Sequence, residues 1–167
     1  MGYTHHWKLK GFDVKDSEGY LKALPIVRDI VRRHLDILCY EYNEVEKPPE
    51  VSEKKIWFNG KGDDGHETFL FQPQAAEFPF CKTARKPYDL PVCEVLLVLK
   101  ALMPHLGLSS DGFSSNIVGA ELDGYWPQAI YNVRRYGLHY DAVVTEERPP
   151  YCDMEPTLVS VEEWVKA

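Results

Sequence analysis

The chain has 167 residues, which suits one domain with a core of its own rather than two. Its 44% hydrophobic and 27% charged content excludes wholesale disorder, a collagen-like repeat and a coiled coil. A net charge of −7 argues against a general nucleic-acid binder, which needs a net basic face, and the longest apolar run, 95–99, is too short to span a bilayer.

In chain order, residues 3–9 alternate, with Tyr3, His5, Trp7 and Leu9 on one face and Thr4, His6 and Lys8 on the other, which predicts a strand. After a turn over 11–16, Ser17 and Glu18 open a helix. Its apolar face comprises Leu21, Leu24, Val27, Ile30, Val31, His34 and Leu38, and Pro25 should kink it or restart it. Residues 39–42 continue as a strand, and 44–53 form a polar loop. Residues 55–58 and 66–71 flank a glycine-rich stretch and predict a hairpin with a long tip. Residues 78–81 make another short strand.

Residues 90–103 are apolar apart from Glu94 and Lys100, which predicts a central helix with Pro91 in its first turn. A strand over 106–110, a glycine-containing loop over 113–125 and a helix over 126–136 stopped by Gly137 complete the domain. Residues 139–167, with seven acidic side chains against two basic ones, are expected to be a tail packed on domain 1–138 or on a partner subunit, with a short strand or helix over 158–165. Without a regular βαβ rhythm the fold class is α+β: a small mixed or antiparallel sheet packed on a central apolar helix, with an amphipathic N-terminal helix.

Four polar constellations stand out. Asp63, Asp64, His66 and Glu67 crowd the hairpin tip; the two aspartates suit a solvated turn, whereas Glu67 shares a face with Phe69 and Phe71 and needs a partner. The stretch Cys81, Lys82, Thr83, Ala84, Arg85, Lys86, Pro87, Tyr88, Asp89 sets three cations and a hydroxyl before the amino end of the apolar helix, where free N–H groups and the helix dipole favour anions. Arg85 could also be consumed by an ion pair with Glu67, and Asp89 could be a simple N-cap. Cys81 is either a nucleophile with His66 as its base or a small core residue. Ser109, Ser110 and Asp111 form a binding loop or an ordinary turn, and Tyr3, His5 and Trp7 suit a core stripe better than a ligand cage.

The order Gly2-Tyr3-Thr4-His5 with Trp7, Phe58-Asn59-Gly60 with Asp63-Asp64, His66-Glu67-Thr68-Phe69, Cys81 through Asp89, and Ser109-Ser110-Asp111-Gly112 resembles a family of small proteins of unassigned activity from phage, bacterial and some fungal genomes. His6, where an aromatic residue is usual, and the acidic tail depart from it. The resemblance implies that these motifs belong to one site and transfers no chemistry.

Two readings follow. In the first, a small anionic ligand, phosphorylated or nucleotide-like, is held by Lys82, Thr83, Arg85 and Lys86 and contacted by Ser109, Ser110 and Asp111. His66, Glu67 and Cys81 are then the candidates for chemistry. In the second, the polar residues form a structural ion-pair network in a non-catalytic homodimer. A metal-dependent hydrolase using His5, Asp63, His66 and Glu67 lacks a paired-histidine helix motif, so no metal ligand and no cofactor is assigned. Absence of an apolar leader and of paired cysteine spacing makes free thiols and a cytoplasmic setting the expectation. No membrane partner is expected.

Overall fold

A computed structural model describes residues 3–9, 11–74, 79–112, 122–148 and 151–158, with the backbone alone described over 141–148 and 151–158. The elements are β1 (Thr4–Leu9), α1 (Val14–Arg33), β2 (Leu38–Cys39), β3 (Glu50–Val51), β4 (Ile56–Gly60), β5 (Phe69–Phe71), β6 (Phe80–Lys82), α2 (Asp89–Leu102), β7 (Leu106–Ser110), α3 (Trp126–Val133), β8 (Leu138–Arg148) and β9 (Tyr151–Leu158). The fold is α+β, and every described strand pairing is antiparallel. One sheet runs β6-β1-β7, a second runs β2-β4-β3 with β5 also on β4, and β8 pairs with β9.

The alternation in β1 turns Tyr3, His5 and Trp7 inward, where Trp7 meets Phe69 and Phe71 of β5. α2 is buried from Pro91 to Leu99, as its unbroken apolar composition demands, and one hydrophobic cluster joins it to β1, α1, β4, β5 and α3. Its buried carboxylate, Glu94, is shared by His34 Nε2 at 3.2 Å and Asn132 Nδ2 at 3.0 Å, so one charged group ties the end of α1 and α3 to the central helix. Among the described residues no helix is long and apolar enough to cross a membrane.

α1 differs from its sequence reading at both ends and in its facing. It opens at Asp13, not Ser17: the Asp13 carboxylate accepts from the Lys15 and Asp16 amides, and Asp16 returns the bond to the Asp13 amide. This reciprocal capping satisfies donors that would otherwise be orphaned. Asp16 is fully buried and also accepts from the backbone and ring of His105, pinning the α2–β7 loop to the start of α1. The helix ends at Arg33, and Leu38 belongs to β2 instead. Leu21, expected inside, is 47% exposed, while Gly19, Tyr20, Ala23 and Ile26 are buried. Pro25 does not restart the helix, which runs through it from Val14 to Arg33.

The hairpin over β4 and β5 forms as expected, with a single 3₁₀ turn at Gly62–Asp64 and a shorter second strand. Gly137, at φ 78°, supplies the left-handed stop after α3 and its 3₁₀ extension. The acidic segment begins inside β8, whose Tyr140 is buried and whose hydroxyl donates to Leu97 O of α2; β9 lies against β7. The strand or helix expected over 158–165 lies outside the described residues beyond Leu158.

Asp29 carries the clearest pH dependence. Burial alone would raise its pKa, but hydrogen bonds from Arg33, Tyr136 and Arg32 overcome that and hold it at about 2, from an ordinary 3.8. A depressed carboxylate contributes stability that is present above the unfolded value and is lost as pH falls through the folded one. Asp29→Asn is therefore expected to flatten the acid limb of the stability–pH curve between pH 3.8 and about 2, read by urea unfolding at each pH. An unchanged acid limb would show that Asp29 is not among the groups that set it.

Candidate functional site

The polar motifs meet around His5, not around His66. From β1 the His5 imidazole points into the core with 0% exposure. Its Nε2 lies 2.5 Å from Asp89 Oδ1 and its Nδ1 lies 2.7 Å from Ser110 Oγ. Asp89 is the first residue of α2, after an N-cap, Tyr88, that makes no side-chain cap. Thus Asp89 is no N-cap; its carboxylate turns inward to accept from Thr83 Oγ1 at 2.6 Å, and the Cys93 thiol approaches its Oδ2 at 3.8 Å.

Donor counting fixes the direction of this chain. Ser110 Oγ accepts from the Gly112 amide at 3.0 Å and from Trp126 Nε1 at 2.9 Å. Those two bonds use both lone pairs of a hydroxyl, so its own proton must be donated to His5 Nδ1. His5 is then the neutral tautomer with its proton on Nε2, donating to Asp89. The order Ser–His–Asp matches a hydrolase relay. Yet Ser110 is 2% exposed and has no lone pair left for attack, so the chain is a satisfied polar core and not a nucleophile.

Above this core the loop 82–86 bends through two consecutive left-handed residues, Ala84 (φ 52°) and Arg85 (φ 57°), the non-glycine residues with positive φ among those described. Arg85 emerges half exposed. Its guanidinium stacks 4.1 Å from the Tyr3 ring centroid and donates to Asp123 Oδ2 at 2.8 Å. That hydrogen bond raises the Arg85 pKa and lowers that of Asp123. The Tyr3 ring in turn packs edge-on to His5. Tyr3 therefore separates the exposed cation from the buried imidazole, and its hydroxyl leaves no space for a Cβ at Gly112 or Gly124.

Several expected members lie elsewhere. His66 is exposed at the hairpin tip, where Asn59 holds its backbone. Glu67 is half-buried and accepts from the Lys82 amide at 3.3 Å; Arg85 pairs with Asp123 and not with Glu67. Cys81 is fully buried with its thiol 3.4 Å from Glu67 O, and burial followed by the nearby Glu67 charge pushes that thiol up, the environment of a small core residue. Lys82 is exposed, Lys86 half-buried, and Asp111 accepts from the Thr4 amide at 3.0 Å, while Ser109 is buried beside Ser110 in β7.

The free N–H groups expected at the start of α2 are also spent. Asp89 N donates to Lys86 O, Leu90 N to Pro87 O and Val92 N to Tyr88 O, and Pro91 has no N–H. The start of α2 therefore offers an anion none of those three N–H groups. Of the residues expected in one site, Ser110 and Thr83 bond to the His5–Asp89 pair, while Arg85 lies outside it across the Tyr3 ring. Asp123 and Cys93 also belong here, and an isolated aspartate and a cysteine on an apolar helix give no local signal of it. No family model, curated protein or solved structure matches the chain.

Proposed function

We propose that the protein binds a small anionic ligand, phosphorylated or nucleotide-like, at the loop 82–86, with Arg85 exchanging Asp123 for the ligand and Lys82 and Lys86 flanking it. The observation that carries this reading is the pair of left-handed residues at 84 and 85. Backbone of this kind costs on the order of 1–3 kcal/mol per residue and persists only where the surroundings over-determine it. Here Thr83 provides that hold: its amide donates to Tyr3 O, its carbonyl accepts from Lys86 N and its hydroxyl is fixed by Asp89.

The exchange is energetically accessible. Exposed ion pairs are worth about 0–1 kcal/mol, whereas a planar guanidinium holds phosphate through two parallel bonds. Cys81 and Ser110 are both sealed from solvent, which favours binding over chemistry at this loop. The second reading, a non-catalytic network in a homodimer, draws support from that Arg85–Asp123 pair.

Titration of the full chain with inorganic phosphate, pyrophosphate and nucleoside mono- to triphosphates, followed by calorimetry, separates them. Saturable binding that weakens with salt is expected, reduced about tenfold or more, roughly 1.4 kcal/mol, by Arg85→Ala. Arg85→Lys should fail similarly, since a point charge does not replace the fork. Absence of saturable binding, or an unaltered affinity in Arg85→Ala, rejects the ligand reading in favour of the network.

A further inference from the structure

Asp89 and Cys93 are four residues apart on α2 and so share one face of the helix, and His5 reaches the same face from β1. All three are buried, and one donor atom from each lies within 4.8 Å of the others. The Cys93 Sγ stands 3.7 Å from His5 Nε2 and 3.8 Å from Asp89 Oδ2. With the imidazole neutral, as the Ser110 bonds require, the Asp89 carboxylate is a buried charge held by hydrogen bonds alone. Among the described residues no lysine or arginine nitrogen lies within ion-pair distance of it. Buried charges are ordinarily paired or bound to a metal.

We propose that His5, Asp89 and Cys93 bind one divalent transition-metal ion of the zinc type. The donor set is right in kind: imidazole, thiolate and carboxylate are zinc ligands, and together they select against magnesium and calcium, which take oxygen. It is also close in spacing. Bond lengths of about 2.0 Å to nitrogen and oxygen and about 2.3 Å to sulfur put tetrahedral ligands about 3.3–3.6 Å apart. The thiol already stands near that distance from both partners, and the His5–Asp89 contact, at 2.5 Å, must open by about 0.8 Å, a change on the scale of a ligand's own geometry.

Both ligands have the outer partners that metal ligands use: Thr83 donates to Asp89, and Ser110 holds the far nitrogen of His5. The proton balance is explicit. The ion displaces the thiol proton to solvent and takes Nε2, whose proton moves to Nδ1. Ser110 Oγ already accepts from Gly112 N and Trp126 Nε1, so it takes the new Nδ1–H by releasing the Trp126 bond and turning its own proton away from His5, and that release is what tryptophan fluorescence reads. Nothing in this proposal depends on the anion reading.

The test uses the full chain, freed of metal with a chelator and kept reduced, titrated with Co²⁺. One equivalent is expected to bind with a thiolate-to-cobalt charge-transfer band and a change in tryptophan fluorescence, and Zn²⁺ should displace it. Cys93→Ser should lose the band while Cys39→Ser and Cys152→Ser keep it. If Cys93→Ser does not fold, Ser110→Ala decides, since loss of an outer partner should weaken Co²⁺ binding about 10–100-fold with the band retained. No band in the wild-type chain, a band that survives Cys93→Ser, or an affinity unmoved by Ser110→Ala overturns the proposal. So does uptake without the thiolate band, which points to the sulfur-free group Asp13, Asp16 and His105.

Discussion

Asp89→Ala is expected to lower the unfolding free energy by about 3–5 kcal/mol, measured by urea denaturation of chelator-treated protein. The substitution leaves three groups without their acceptor at once: His5 Nε2, the Thr83 hydroxyl and the Cys93 thiol. Each was desolvated on folding on the strength of that carboxylate, and a buried donor left unmade costs more than the bond was worth. Domains of this size are stable by about 5–15 kcal/mol, so the loss would bring the chain close to its unfolding threshold. Thr83→Val removes a single donor at nearly constant volume and should cost only about 0.5–1.5 kcal/mol. The ratio between these two is the informative quantity. If Asp89→Ala costs no more than Thr83→Val, the four side chains are not an interdependent network and the donor count at Ser110 loses its force.

The parts of this fold that could be read in the sequence are those whose period is local. Tyr3, His5 and Trp7 recur every second residue, and 90–103 is apolar on all sides, so β1 and α2 were expected where they occur. The buried face of α1 was legible only in part, because hydrophobicity marks Leu21 as a core residue while the packing selects Gly19 and Ala23 for their size. The cap at Asp13 was hidden by the same turn chemistry that makes aspartate common outside helices. At the site the kinds of residue were legible and their partners were not. Arg85 was matched with Glu67 on charge, yet Asp123 holds it; His5 and Asp89 are 84 positions apart, and no local pattern joins them. Ion pairs are chosen by chain topology, which charge complementarity alone does not encode.

Gly19→Ala tests the close approach of α1 to the end of α2. Glycine is a poor residue for the middle of a helix, and alanine at an exposed position there would gain about 0.8–1.0 kcal/mol. Gly19 is not exposed. A Cβ at this position would lie 1.8 Å from the Leu102 carbonyl oxygen and 2.6 Å from its carbon, at the last turn of α2. The obstruction is main chain, so no rotamer change relieves it; α1 and the end of α2 must separate, and the buried contacts between them go with the shift. Overpacking a core costs about 1–3 kcal/mol when side chains can yield, and here they cannot. The steric cost should exceed the propensity gain, leaving a net loss of about 2 kcal/mol or more, read by urea unfolding against Gly11→Ala. A Cβ at Gly11 would meet nothing within 4 Å, and Gly11 has no positive φ, so alanine there should be neutral within about 0.5 kcal/mol. A neutral or stabilising Gly19→Ala would mean that the two helices can part without cost, and the glycine would then owe its place to something other than their contact.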